Sequence, residues 1–372
     1  MLMFSSEETN IYYNVYCTVL YLILLFISKQ KINRFCLIQK HKSNFFILPL
    51  LFVFALTYCV GTDFYAYMGV VKNYDFTPGA YNYGEKIYGY LIYILDKNYF
   101  LFRVVVWGSA LLLFKKASKL LKINAQCSLA ILSILFILIF SYARASLGMA
   151  VFIYGVARFL KSRNLFCKTF SFVIVCCSCF FHSSMLALII LFVVSIFVPL
   201  NKKVLVIYGL LAIVFALTIN QFMDYLITGS FIGADEIINK KLVGYSEKES
   251  IGVNFFGIIQ NILSYGTFYI PFIIITFKLY KKNLLKKISV NIIFLAKLML
   301  LIMILTTSLL FLNISSSVFF YRFLYMSMLP MTLIISYLIE HNLFSRREKR
   351  WIFCYGAVAN LYVLFHSIYV TI

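Results

Sequence analysis

Acidic residues are scarce in this sequence: 13 Asp and Glu stand against 34 Lys and Arg, and charged residues of both signs make up only 13% of 372 residues. That is too little charge to coat a soluble globule of this size. Proline is rarer still, with 5 residues, and no internal repeat, Pro-rich linker or low-complexity tail divides the chain. A multidomain or repeat architecture is therefore excluded, and a single membrane domain over residues 1–372 is expected. Metal-ligand clusters are missing too. Most of the nine cysteines lie inside apolar runs, and the closest to a cluster, Cys176, Cys177 and Cys179, have no second pair to complete a tetrahedral zinc site. No bound metal or cofactor and no disulfide framework is expected. A cleavable signal peptide is not expected either, because Glu7 and Glu8 occupy the place of a basic region and the first apolar run lacks a small-residue cleavage site.

What the chain does have is apolar length, with 63% hydrophobic residues. Apolar runs near 11–28, 44–60, 99–114, 126–142, 145–160, 166–182, 185–200, 204–219, 254–277, 288–312, 318–339 and 351–370 predict about twelve transmembrane helices. A net charge of +21 would point to nucleic acid in a soluble protein, but here the cations sit between apolar runs and act as topology signals. The stretches 29–44, 115–125, 158–168, 201–203, 278–287 and 341–350 hold 5, 4, 4, 2, 5 and 4 Lys or Arg, and they alternate without a break. These stretches are expected to face the cytoplasm, which places both termini outside it. Two extracytoplasmic loops, about 61–98 and 220–253, then carry most of the acids. No nucleic-acid partner is expected; membrane lipid is the partner.

An ionisable group at membrane depth is costly unless it is paired or lines a wet cavity, so each one is a candidate functional residue. Arg144, in Ser-Tyr-Ala-Arg-Ala-Ser, shares a helical face with Gly148 and Gly155, whose small size lets helices approach and would direct the guanidinium into the bundle. Arg322 lies about one turn below the outer end of its span. Two permanently charged, forked guanidinium groups at one depth suit a pyrophosphate, although an arginine snorkelling to headgroups has the same sequence signature. His182, in Cys-Phe-Phe-His-Ser-Ser, closes the sixth span on the same side and is either a general base, a hydrogen-bond partner for a sugar hydroxyl, or a solvated cap. Asp63, in Gly-Thr-Asp-Phe-Tyr-Ala-Tyr, either binds or deprotonates an acceptor hydroxyl or caps the helix after it. Glu85 opens a segment ending near Leu95 that reads as a short amphipathic helix. Ten of the 28 tyrosines, Tyr65 and Tyr67 among them, fall between Tyr58 and Tyr99, which fits an interfacial belt or a platform for sugar rings.

The chain resembles the EpsG family, a branch of the Wzy-like polysaccharide polymerases. The resemblance rests on Gly61-Thr62-Asp63-Phe64-Tyr65-Ala66-Tyr67, on Glu85 with Gly89-Tyr90-Leu91, on Arg144 with Gly148 and Ala150, on Phe181-His182-Ser183-Ser184, and on Arg322 with Tyr325. It implies a GT-C-like or Wzy-like helical bundle that joins lipid-linked oligosaccharide repeat units at the outer face of the bacterial cytoplasmic membrane, in exopolysaccharide, capsule or O-antigen synthesis. The donor would be a growing glycan on undecaprenyl diphosphate and the acceptor the next lipid-linked unit. Such enzymes are metal-independent, with arginines on the diphosphate, and a flippase and a chain-length regulator are candidate partners. In this reading Arg144 and Arg322 bind diphosphate, His182 and Asp63 are catalytic, and Glu85, Tyr65 and Tyr67 contact the acceptor sugar. An O-antigen-type ligase is the alternative within the same chemistry. A twelve-helix transporter or flippase is the alternative outside it, and its mark would be a row of polar residues at mid-depth.

Overall fold

The computed structural model describes residues 7–35, 47–57, 68–74, 86–137, 143–182, 184–197, 199, 206–214, 217, 255–280, 288–311 and 323–369. Its helices include α1 (Glu7–Phe35), α2 (Ile47–Thr57), α3 (Lys86–Ile94), α4 (Tyr99–Leu120), α5 (Ala125–Leu135), α6 (Ala143–Lys161), α7 (Leu165–Cys177), α8 (Met185–Phe197), α9 (Phe255–Tyr280), α10 (Val290–Phe311), α11 (Met328–Glu340) and α12 (Arg346–Tyr369). A 3₁₀ turn, Ser178–Phe180, continues α7. There is no strand among the described residues.

Among the described residues, two segments, Val290–Leu309 and Phe323–Glu340, have both the length and the hydropathy to cross a membrane; shorter apolar helices include Val15–Gln30, Leu165–Phe180, Met185–Phe197 and Tyr265–Leu279. The exposed face of α1 is Val15, Val19, Leu22, Ile23 and Phe26, and that of α8 includes Leu186, Ile190 and Phe197. Side chains of this kind on an outer surface match lipid as solvent. Serine and threonine hydroxyls inside the helices turn back on their own chain: Thr306 donates to the Ile302 carbonyl at 2.7 Å, Thr332 to Met328 at 2.8 Å and Ser336 to Thr332 at 2.6 Å. A hydroxyl with no water nearby is satisfied in this way. The architecture is that of a helical membrane protein.

Helix α5 is the axis of the bundle. All its residues from Ala125 to Leu135 are buried, because α1, α2, α4, α11 and α12 pack around it; a helix that is covered on every side has no use for a polar face. The apolar run predicted a span to residue 142. The α-helix stops at Leu135 with Phe136 as its C-cap, Ile137 is helical again, and residues 138–142 of the predicted span lie outside the described residues. Eleven residues rise about 16 Å, roughly half a hydrocarbon core. The carbonyls of the last turn then need donors at that depth. Asn360 of α12 donates from Nδ2 to the Ile134 carbonyl at 2.7 Å, and the Tyr21 hydroxyl of α1 donates to the same oxygen at 3.2 Å. Ser28 and Ser133 pair at 2.8 Å one residue before. Gly356 lets α12 come this close, since a Cβ there would lie 2.9 Å from the Ile134 oxygen. Tyr21, Ser28, Ser133 and Asn360 therefore form a row of buried polar groups at the end of α5. These groups are uncharged and bond to one another and to the broken backbone.

One end of the bundle is rich in Lys and Arg. There Asn124 caps α5, and its own backbone N–H donates to the Glu340 carboxylate at the end of α11 at 2.6 Å. Ser289, just before α10, donates its N–H to the Tyr337 hydroxyl at 3.1 Å. Ser345 and Glu348 form a capping box at the start of α12, with bonds of 2.7 and 3.2 Å, and Glu348 pairs with Lys278 of α9 at 2.8 Å. At the same end a pair of cation–ring contacts, Arg158 over Phe170 and Lys168 over Phe159, closes the α6–α7 hairpin.

Candidate functional site

The opposite end of the bundle gathers the starts of α4, α6 and α8, the 3₁₀ turn and α3. Helix α6 opens Ala143-Arg144 and keeps Gly148 and Gly155 on that same face. At Gly148 an added Cβ would lie 3.2 Å from His182 Cβ and 3.2 Å from Met185 Cγ. At Gly155 it would lie 2.7 Å from Val175 Cγ2 and 2.9 Å from the Val175 backbone nitrogen. The glycine spacing predicts this close approach, and α7 fills it. Arg144 is one turn, about 6 Å along the axis, from the glycine that touches His182.

His182 is held on both sides. Its N–H donates to the Ser178 carbonyl at 3.2 Å, and its carbonyl accepts from the Met185 N–H at 3.0 Å. The side chain is 9% exposed. Its Nδ1 accepts the Ser184 N–H at 3.3 Å, and the Ser184 hydroxyl makes a second, short contact with the same nitrogen. A backbone N–H can only donate, so Nδ1 is an acceptor and the neutral ring carries its proton on Nε2. In that tautomer Nε2–H is a donor.

An aromatic wall runs beside the histidine. Tyr88 of α3 lies against Phe102 of α4 at 5.7 Å between ring centroids and against Phe181 at 6.3 Å. Gly89 is overlain by the Tyr74 hydroxyl, which leaves no room for a side chain. The helix predicted after Glu85 is present as α3, with Tyr88, Gly89 and Ile92 turned inward and Tyr90, Tyr93 and Ile94 exposed. Further along the bundle, Tyr325, three residues after Arg322, stacks on Phe268 at 6.1 Å; Phe268 in turn meets Phe136, the cap of the broken helix, at 4.9 Å.

Of the residues chosen from the sequence, His182 and the backbone of Arg144 are brought together in this way. Asp63, Glu85, Tyr65, Tyr67 and Arg322 lie outside the described residues. Arg103, which the sequence reading passed over, is enclosed at the start of α4, with its guanidinium 5.9 Å from the centre of the Tyr99 ring. The rule applied to Arg144 and Arg322, a cation inside an apolar run, also selects it.

A model of the EpsG family matches residues 43–372, nearly the whole chain. The chain belongs to the EpsG family. The match takes in the segments around Asp63, Glu85, Arg144, His182 and Arg322. No curated protein and no solved structure matches the chain. Membership of the EpsG family together with the apolar helices points to a membrane protein of polysaccharide biosynthesis with a glycosyltransferase-like, polymerase-like activity.

Proposed function

We propose that this EpsG-family chain is a polymerase of lipid-linked oligosaccharide repeat units that acts at the outer face of the cytoplasmic membrane. About twelve spans, with both termini and the Arg144–His182 end outward, satisfy the alternation of basic stretches. In the reaction an acceptor hydroxyl oxygen attacks the anomeric carbon of the growing glycan. The bond from that carbon to the phosphate oxygen breaks, undecaprenyl diphosphate leaves with the electron pair, and the hydroxyl proton passes to a base. Negative charge therefore develops on the diphosphate, and fixed cations and donors aimed at it lower the barrier.

The observation that carries the reading is the approach of the first turn of α6 to His182 through Gly148, at the end of the bundle opposite the basic turns. Arg144 and Arg322 neutralise the leaving diphosphate. The Ser184 bonds to Nδ1 favour His182 as an Nε2–H donor to a phosphate or sugar oxygen, and Asp63 is then the proton acceptor. Glu85, Tyr65 and Tyr67 contact the acceptor sugar. A ligase shares this chemistry. A transporter would use a polar row within the bundle, but here Ser28 and Ser133 bond to each other while Tyr21 and Asn360 serve the Ile134 carbonyl at the end of α5.

The test replaces Arg144, Arg322, His182 and Asp63 one at a time, checks membrane insertion, and assays polymer length. Loss of one donor or cation from such a site is expected to slow transfer by about 100-fold or more. Full-length polymer in all four variants refutes the mechanism. The intermediate left in a deletion strain separates the rivals: single lipid-linked units mean a lost polymerase, and finished polymer on its carrier means a lost ligase.

A further inference from the structure

Helix α12 opens with Arg346, Arg347 and Arg350, all exposed. The acids at this end of the bundle are turned elsewhere. Glu340 accepts the Asn124 N–H, and Glu348 is tied to Ser345 and to Lys278, whose ammonium lies over the Phe344 ring at 5.8 Å. Glu348, the nearest acid in sequence, is thus neutralised from the α9 side, and no acid among the described residues pairs with the three arginines. We propose that Arg347 and Arg350, with Arg346 beside them, hold the phosphate of an anionic phospholipid from the cytoplasmic leaflet against the start of α12. The proposal takes its orientation from the topology above and does not depend on the polymerase reading.

Two features of α12 favour a lipid as the occupant. The first is continuity with the surface that meets the bilayer. Arg347, Trp351, Cys354 and Val358 are exposed and step by four, three and four residues, so they form one stripe along the helix. On the opposite side Ile352, Ala359 and Asn360 are buried against the bundle. Val358 and Cys354 are the kind of surface that acyl chains cover, and Trp351, 57% exposed, is the residue type that marks the headgroup boundary. Arg347 lies one turn, about 6 Å, further along the axis. The headgroup layer is about 5–8 Å deep on each side of a bilayer, so the guanidinium falls where lipid phosphates are. The second feature is spacing. Arg347 and Arg350 are three residues apart and so are neighbours on the helix surface, about 5–6 Å apart at Cβ, and two planar forks at that spacing suit the oxygens of one phosphate. At the same end of the bundle Arg158 and Lys168 instead lie over the rings of Phe170 and Phe159. A lipid held here also bears on the bundle axis, because α12 carries Asn360, which serves the Ile134 carbonyl at the end of α5.

The full chain in detergent is titrated with phosphatidylglycerol, with phosphatidylcholine as the zwitterionic control, and bound lipid is counted by native mass spectrometry. One tightly held phosphatidylglycerol on the parent chain, bound at least about tenfold more weakly by Arg347→Gln/Arg350→Gln, is the expected result. Lys116→Gln/Lys119→Gln removes the same charge from exposed positions at the same end and should leave that copy in place. Equal affinity for the two lipids, equal weakening in both double variants, or displacement of the lipid by millimolar inorganic phosphate overturns the proposal. Because loss of two cations risks disturbing insertion, Arg347→Lys/Arg350→Lys is titrated as well. It keeps the topology signal and loses both forks, so it should also bind phosphatidylglycerol more weakly than the parent chain. Parent-like binding by this variant overturns the proposal.

Discussion

Removing the donors at the broken end of α5 tests how the bundle tolerates an interrupted helix. Asn360 has two amide hydrogens. The Ile134 oxygen at 2.7 Å and the Gly356 oxygen at 2.9 Å take them, and the Leu135 oxygen at 3.4 Å has at most a share. The Gly356 carbonyl lies inside α12, so the Asn360 amide is an addition to its helical bond. Ile134 is in the last turn of its helix, and its oxygen has a second donor in the Tyr21 hydroxyl at 3.2 Å. Each single change, Asn360→Leu or Tyr21→Phe, therefore leaves Ile134 with one of its two side-chain donors among the described residues and should cost about 0.5–1 kcal/mol, the usual worth of a side-chain hydrogen bond within a membrane protein. The double variant strips both. An unpaired carbonyl deep in the protein costs about 1–3 kcal/mol, so the pair should lose about 1 kcal/mol more than the sum of its singles. Reversible unfolding in mixed micelles measures the cycle, with Val358→Ala on the exposed side of α12 as the control. Strict additivity, to within about 0.3 kcal/mol, or an Asn360→Leu cost no larger than that of the control, would show that these side chains do not cap the break.

The two α6 glycines should separate stability from activity. At Gly155 an added methyl meets the Val175 backbone nitrogen at 2.9 Å, which cannot rotate away, so Gly155→Ala should part α6 from α7 and lose about 1–3 kcal/mol in the same unfolding assay. Gly148→Ala meets His182 Cβ and Met185 Cγ at 3.2 Å and the Ser178 carbonyl oxygen at 3.5 Å, a tight fit that needs a shift of a few tenths of an ångström, so it should fold and yet lower polymer yield by displacing His182; wild-type yield from a folded Gly148→Ala would count against the site. Enclosure tends to raise the carboxyl of Glu348, but the bonds from Lys278 and Ser345 outweigh it and hold the group below the ordinary carboxylate range. A carboxyl that is depressed in the folded state stabilises it at pH above its unfolded value, and that stability is lost as pH falls through the folded one. Glu348→Gln should then cost about 1 kcal/mol at neutral pH and progressively less below about pH 4.3, read from thermal unfolding; a pH-independent cost would refute the pairing.

Much of the framework is a local property of the chain. Apolar runs locate the helices to within a few residues where both ends are marked by charge or by a cap such as Asn124 or Asn164. They fail at α4, which continues beyond the run to Leu120, because helix propensity does not stop where hydropathy does. At α5 an unbroken run conceals an interruption after Leu135. The glycine face of α6 was readable, since spacing along one helix is arithmetic. Which residue it would meet was not.

The amino-acid order alone determined that this is an apolar, helical, asymmetrically charged chain with its unusual cations near the ends of its spans, because burial period, charge spacing and family motif are all written in local sequence. Tertiary structure alone decided that His182 abuts Gly148, that Arg103 is enclosed rather than facing outward, and that Asn360 serves a carbonyl 226 residues away. Contacts of that range depend on which helices become neighbours, and in lipid every helix has the same apolar exterior to offer. Close packing and the need to satisfy broken backbone make the choice, and both exist only once the bundle has formed.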